Sequence, residues 1–336
     1  MTRIVCFGEL LIRLASPPGE VLLQTPTLIP SFAGAEANVA VSLARLGSEA
    51  VYVSVLPDNP LGRAAREELR RYGVDVTALR NGPGRMGLFF LTPGAVLRPS
   101  DVLYDRAGSA FALGADGFDW EPLLAGADWL HVSGVTPALG PKGAAGVLDA
   151  AETAVRLGVK VCFDGNFRAK LWALWDGDSA GILRRLMATA TLALVNDQDI
   201  AHILGRDFDD PDPEVRGAGA AAAAFEAFPR LHSMAHTIRV QHAVVEHALA
   251  AVLYARDGRW EAGPHELVGI VDRIGGGDAF AAGLLHALGQ GAAPQAAVDF
   301  ALAASALKHG IAGDFNLSTE AEVRALAAGG SLSVKR

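Results

Sequence analysis

Asp272-Arg273-Ile274-Gly275-Gly276-Gly277-Asp278-Ala279-Phe280-Ala281 places three consecutive glycines where a strand-like run gives way to a helix. The apolar residues Leu267, Val268, Ile270 and Val271 precede it, and an alanine-rich helix pattern continues to about Leu288. Glycines at a helix start leave backbone N–H groups uncovered, and the helix dipole adds partial positive charge there, which together make an anion cradle. Asp278 falls on the first turn, where a carboxylate repels a bound phosphate unless it has work beside it, such as taking a proton from an attacking hydroxyl. The arrangement points to phosphoryl transfer.

The rest of the chain alternates short β-branched runs with longer helical ones. Ile4–Phe7, Ala50–Leu56, Trp129–Ser133, Val159–Asp164, Leu192–Asn196 and a run ending near Arg239 read as strands. Helices read at Ala35–Leu46, Leu61–Tyr72, Lys142–Leu157, Asp197–Leu204, Glu214–Ala227, Asp278–Leu288 and Pro294–His309. Such alternation predicts parallel βαβ units with right-handed crossovers. Two stretches break the pattern. Leu10–Phe32 is helix-poor, and Gly82–Arg106 carries two strand-like runs, Met86–Thr92 and Val102–Asp105, with no helix between them. These insertions are expected to pair into a small antiparallel sheet that forms a lid over a site at the carboxyl edge of the main sheet.

With 336 residues, 51% hydrophobic and 20% charged, the chain can bury a large core. A net charge of -8 argues against nucleic-acid or anionic-membrane partners. Cys6 and Cys162 lie in separate apolar runs, so no disulfide framework is expected and a reducing cytoplasm is the expected compartment. The amino-terminal segment reads as a first strand rather than a signal peptide, and no apolar run is long enough to span a bilayer.

Several motif readings fail on context. Gly82-Pro-Gly84-Arg-Met-Gly87 fits G-x-G-x-x-G but precedes a strand, whereas a dinucleotide fingerprint follows a strand and opens a helix. No P-loop occurs, and the protein-kinase motif set is missing. His232, His236, His242 and His247 contain an i,i+4 pair, but the segment reads as strand and turn, which removes the helix that metal-ligand spacing needs.

A second glycine-led helix starts at Gly34-Ala-Glu36-Ala-Asn38 and runs to Gly47. Gly34 admits close backbone approach, and Asn38, one turn in, offers both a donor and an acceptor to a polyol.

Gly34–Gly47 resembles the first signature of the ribokinase-like (PfkB) carbohydrate kinases, and Asp272–Gly283 resembles the second, with Asp-Arg in place of the usual Asp-Thr. Leu56–Gly62, Tyr104–Ala110, Ser133–Gly140 and Asp164-Gly-Asn166-Phe-Arg168-Ala-Lys-Leu-Trp172 are similar to the 2-keto-3-deoxygluconate kinase branch. The likeness extends from Arg3 to about Ala328.

The resemblance implies one ribokinase-like kinase domain over residues 1–330, an α/β fold with a three-layer α/β/α core. Its small β-sheet lid would come from insertions at roughly 10–33 and 82–110. The implied reaction uses ATP and Mg²⁺ to phosphorylate O6 of 2-keto-3-deoxy-D-gluconate. Asp278 matches the family's catalytic base, and Gly275, Gly276 and Gly277 match its anion hole. Arg106 and Arg168 match substrate-binding arginines, whose planar forks suit a sugar-acid carboxylate. Gly34, Asn38, Tyr104 and Phe89 would complete the sugar contacts, Phe89 standing where relatives often have tyrosine. On the nucleotide side Asn196-Asp-Gln-Asp199 resembles an N-x-x-E element that orients Mg²⁺ through water, with a shorter final carboxylate. Thr237 and Arg239 correspond to a strand end near the phosphates, although Val240-Gln241-His242 lacks the usual glycines. Lys308 is either a nucleotide contact or a solvated surface charge. A monovalent cation is left open, and a homo-oligomer is implied. Two alternatives stay in view: a fructokinase, ribokinase or other sugar kinase of the same family, and a sugar sensor without catalysis.

Overall fold

The computed structural model describes residues 1–330, and the chain folds around two sheets. In chain order the strands are β1 Arg3–Phe7, β2 Leu11–Ala15, β3 Ile29–Ala33, β4 Glu49–Pro57, β5 Leu79–Gly82, β6 Gly87–Thr92 and β7 Asp101–Asp105. They continue as β8 Trp129–Ser133, β9 Lys160–Asp164, β10 Leu192–Leu194, β11 Ser233–Ala243, β12 Glu246–Ala255 and β13 Gly258–Val268. The large sheet has the order β13-β12-β11-β10-β9-β8-β1-β4-β5. From β11 to β5 every neighbouring pair is parallel, while β11–β12 and β12–β13 are antiparallel.

Both faces of the parallel part are covered, which explains why its strands read as near-continuous apolar runs. Along β1, Ile4 and Cys6 face one core with Tyr52 and the helices Ala35–Arg45, Gly276–Gly289 and Pro294–Lys308. Val5 and Phe7 face the other core with Val53, Val132, Phe163 and the helix Pro141–Leu157. Helix, sheet and helix thus form three layers, as expected from the sequence. From β1 the strand order runs one way to β4 and β5 and the other way to β8–β11, so the switch point lies between β1 and β8. Ligand crevices in open α/β sheets lie outside the carboxyl ends of the strands at such a point.

The helix-poor segments do enter one small sheet, of order β3-β2-β6-β7, but it is mixed rather than antiparallel. Its outer pairs β2–β3 and β6–β7 are antiparallel and its central pair β2–β6 is parallel. A parallel pair needs a long crossover, and the chain supplies one by passing through β4 and β5 of the large sheet between the two insertions. Leu11, Ala15, Ala33, Phe89 and Leu91 form its buried apolar face, against which Ile274 of the glycine loop packs.

Three further differences have local causes. The strand expected over Leu192–Asn196 stops at Leu194, because Asn196 already caps the next helix. β12 carries no strand signal of its own, because Glu246–Ala255 is alanine-rich and alanine is depleted in strands. The run Leu267–Val271, expected to be a strand, leaves the sheet after Val268, where Gly269 turns with φ +72°.

Candidate active site

The glycine loop is fixed from beneath. Asp272 accepts the Ile274 N–H at 3.1 Å through one carboxylate oxygen, and through the other the Gly313 N–H at 3.2 Å and Arg13 Nη1 at 2.7 Å. The same Arg13 nitrogen reaches Asp314 Oδ1 at 2.7 Å, so a buried guanidinium on β2 ties the small sheet to the loop. Lys308 is fully buried and donates to the carbonyls of Ile311 (2.9 Å) and Asp272 (3.4 Å). A Cβ on Gly275 would stand 2.0 Å from the Asp314 carbonyl oxygen, and its φ of +85° is left-handed, so both packing and backbone require glycine.

Gly275 caps the helix Gly276–Gly289, and Ala279 N–H bonds back to the Gly275 carbonyl at 2.9 Å. The N–H groups of Gly277 and Asp278 have no partner among the described residues, as the open end of a helix leaves them. A Cβ on Gly277 would meet nothing within 4 Å. Nothing in the fold itself therefore requires glycine at this position. Gly277→Ala should leave the melting temperature equal or slightly higher, since alanine is favoured over glycine in a helix by about 1 kcal/mol, while turnover falls at least about tenfold because transition-state geometry tolerates little displacement. Unchanged turnover would mean that no reacting group approaches the loop here.

Asp278 faces the first helix across the cleft. Asn38 Nδ2 donates to Asp278 Oδ2 at 2.7 Å, and Asn38 Oδ1 accepts the Gly34 N–H at 3.3 Å. Gly34 must lack a side chain, since a Cβ would lie 2.2 Å from the Glu9 carbonyl oxygen. Burial raises the Asp278 carboxyl to about 7; the Asn38 hydrogen bond and Arg168 oppose the rise, and the charges of Asp314 and Glu36 add to it. A carboxyl titrating near neutrality is matched to general-base work. Behind it Glu36, fully buried at the switch point, accepts Ser133 Oγ at 2.6 Å and Thr136 Oγ1 at 2.9 Å, seating the helix Ala35–Arg45 on the end of β8.

Two clefts open on this floor, of 720 and 540 Å³. They share Asp164, Asn166, Phe167, Arg168 and Gly277, so they meet at the glycine loop. The larger holds Gly34, Asn38, Phe89, Tyr104, Arg106 and Asp278. Phe89 and Tyr104 stand opposite each other in the β6–β7 register. The smaller is walled by Asn196, Asp199, His202, Thr237 and Phe280.

The match to known proteins follows this geometry. The sequence profile described as pfkB family carbohydrate kinase matches residues 1–317. The chain is a pfkB family carbohydrate kinase. A 2-dehydro-3-deoxygalactonokinase of Haloferax volcanii is 31% identical over 334 residues, 99% of each chain. A 2-dehydro-3-deoxygluconokinase of Thermoproteus tenax is 29% identical over 325 residues, 94% of this chain and 90% of the relative. The crystal structure of 2-dehydro-3-deoxygluconokinase from Thermotoga maritima superposes with a TM-score of 0.92 at 36% identity, covering 98% of this chain and 100% of that one. Among the described residues of this pfkB kinase, no helix is long and apolar enough to cross a membrane.

Several sequence-derived placements change in the folded kinase. Arg106 lines the larger cleft, but its Nε is hydrogen-bonded to Glu9 in a buried ion pair, so of the two expected carboxylate-binding arginines only Arg168 makes no close ion pair among the described residues, though its charge is felt by Asp164, Asp199 and Asp278. Among the described residues Arg168 bonds only to the Phe167 carbonyl, at 3.3 Å. Lys308 is neither a surface charge nor part of a cleft wall, because its ammonium is turned inward onto loop carbonyls. Arg239 lines the larger cleft rather than the one that holds Thr237. Asn196 and Asp199 form a capping box: Asn196 Oδ1 accepts the N–H groups of Gln198 and Asp199, while Asp199 Oδ2 accepts the Asn196 N–H.

Sequence reasoning missed Arg13, Asp164, Arg273 and Asp314 as site residues. Two of them carried a signal: Asp164 ends β9 at the carboxyl edge of a parallel sheet, and Arg273 stands where the second signature usually has threonine. Burial pushes the Asp164 carboxyl well above the ordinary value, and the neighbouring charges of Asp278 and Asp199 push further.

Proposed function

We propose that this pfkB kinase transfers the γ-phosphoryl group of ATP to O6 of 2-keto-3-deoxy-D-gluconate. The observation that carries the reading is the meeting of two clefts at Gly277, with a near-neutral carboxyl on the floor of one and an unpaired Arg168 on its wall. A neutral sugar offers that guanidinium only uncharged oxygens, whereas a carboxylate accepts both arms of its fork with a charge to match.

The acceptor lies in the larger cleft with its hydroxyl on Asp278, and the nucleotide lies in the smaller. As the hydroxyl oxygen bonds to the γ-phosphorus, its proton passes to Asp278. The bond to the β-phosphate oxygen breaks with its electron pair leaving on ADP. The free N–H groups of Gly277 and Asp278, at the positive end of their helix, donate to the phosphoryl oxygens as charge accumulates there. Phe89 and Tyr104, on the small sheet acting as a lid, close the sugar side against water.

The donor set suits a magnesium ion carried by nucleotide phosphates. Mg²⁺ keeps several waters and uses one or two carboxylates, and no cluster of three or more metal-binding side chains occurs among the described residues. Asp164 and the uncommitted oxygen of Asp199 would hold it through water, with the Asn196 amide beside them. Bound there, the ion supplies positive charge to the β- and γ-phosphates.

The test is ADP release with 2-keto-3-deoxygluconate, its galactonate epimer, fructose, ribose and gluconate. Arg168→Ala should raise the KM for the keto-deoxy acid about 10- to 100-fold, the loss of one hydrogen bond to a charged group, and raise the KM for fructose far less, whatever the shared wall and the Asp278 base lose for both acceptors alike. Preference for a neutral sugar in the wild type would discard the sugar-acid reading.

A further inference from the structure

Five basic side chains line the larger cleft: Arg106, Arg168, Lys170, Arg239 and Arg273. Arg106 is neutralised by Glu9, and Lys170 lies 3.6 Å from Asp101. Arg168 is the guanidinium assigned above to the sugar carboxylate. Arg239 and Arg273 remain, and neither makes a side-chain hydrogen bond or ion pair among the described residues. Nothing else in the reaction has used them.

Their setting raises the cost of leaving them alone. Burial lowers the Arg239 guanidinium from its ordinary value and the charge of Arg273 lowers it further, so the two are close enough to repel. The neighbouring ring offers no relief. His247 is fully buried, and after burial itself the groups that disfavour its protonation are Arg239, His309 and Arg273. Like charges crowded without a counter-charge destabilise the empty site, and a bound dianion removes that penalty. In a chain of net charge -8, such a corner is a specific placement.

Sequence position fixes which anion. Arg273 sits between Asp272 and Ile274, the first held by Arg13 and Gly313 N–H and the second docked on the small sheet. Its backbone is thus rigid, and it lies two residues before the glycine cradle whose free amides face the moving phosphoryl group. Arg239 is held on β11 opposite Leu249 of β12. We propose that Arg239 and Arg273 form a two-guanidinium clamp on the transferred phosphoryl group, acting in the transition state and on the phosphorylated product. The inference rests on the kinase reading above. During transfer the acceptor oxygen bonds to phosphorus, its proton goes to Asp278 and the electron pair of the broken P–O bond leaves on ADP; the clamp donates N–H groups to the equatorial oxygens and changes no bond itself.

The experiment measures kcat and KM for Arg239→Gln, Arg273→Gln and Arg273→Lys on whichever acceptor the wild type phosphorylates best, with melting temperature and ATP binding as folding controls. Each Gln variant should lose about 10²- to 10³-fold in kcat, as loss of one preorganised oxyanion donor does, with acceptor KM within about threefold. The phosphorylated product should bind at least about tenfold more weakly, a charge-assisted contact being lost. Arg273→Lys should recover part of the turnover, since it restores charge without the fork. A rise in acceptor KM with kcat intact would overturn the clamp and make the pair a carboxylate subsite, and unchanged kinetics would overturn it outright. If the wild type prefers a neutral sugar, the sugar-acid reading fails while the clamp is still tested, because every acceptor receives the same phosphoryl group.

Discussion

Asp278→Asn should lower turnover about 10²- to 10⁴-fold, the usual contribution of a positioned base, and at the same time make the protein more stable at pH 8. The two effects share one cause. Burial raises the folded-state value to about 7 from an ordinary 3.8. Between those values the unfolded chain has released a proton that the folded chain keeps, so folded stability declines as pH rises through this window and bears the full cost above it. Asparagine has no proton to release, and its amide oxygen still accepts from Asn38 Nδ2. The variant and the wild type should melt together near pH 4, and a gap on the order of a few kcal/mol should open by pH 8, since each pH unit of that window is worth about 1.4 kcal/mol. In the wild type kcat/KM should climb with pH, pass half its maximum at about 7 and level off above that, where the carboxylate is free to take a proton. Calorimetry and a pH–rate profile read both, and a variant with wild-type turnover would remove Asp278 from the base role.

Arg13→Ala should cost about 3–5 kcal/mol of folding stability, the range for breaking a buried ion pair from one side. The loss is large because one guanidinium serves two carboxylates. Asp314 is raised by burial and held back chiefly by Arg13, so removing Arg13 leaves Asp314 and Asp272 under the glycine loop with the Lys308 charge but no ion-paired guanidinium between them. Denaturant unfolding of Arg13→Ala, Asp314→Asn and the double variant forms a cycle in which the second change should hurt much less than the first. Additive losses would show that the ion pair is not what holds the loop. Arg13→Lys should fall between, because a point charge does not reproduce the planar guanidinium's contact with two carboxylates.

What the sequence discloses and what it hides divide along the range of the interactions. The helix Asp197–Leu204 and the helix after the three glycines are written in local signals, a cap and a dipole end, and both are legible to within about two residues. The Asn196–Asp199 spacing is also legible as a capping box, yet its likeness to a metal element competes with that simpler local role. Arg13 and Asp314 are 301 residues apart and no periodicity connects them. Glu9 reads only as an interruption in an apolar run, though it neutralises Arg106 across 97 residues. Lys308 closes an apolar helix pattern where a lysine normally reaches solvent, and only the fold turns it onto the carbonyls of Asp272 and Ile311. Buried charges of this kind are set by tertiary partners, which a single chain's pattern does not encode.

The common wall of the two clefts bears on how the enzyme's preferences can be altered. Asp164, Asn166 and Arg168 border both clefts, and Asn166 holds its place with a φ of +35°, rare for a residue with a side chain. With acceptor and nucleotide in the two clefts as proposed, libraries that vary this wall to admit new sugars should drag nucleotide affinity along with them, and the two KM values should shift together without any communication over distance. Phe89 and Tyr104 border only the larger cleft. Retargeting the acceptor while sparing the donor therefore begins on the small sheet, with that facing pair.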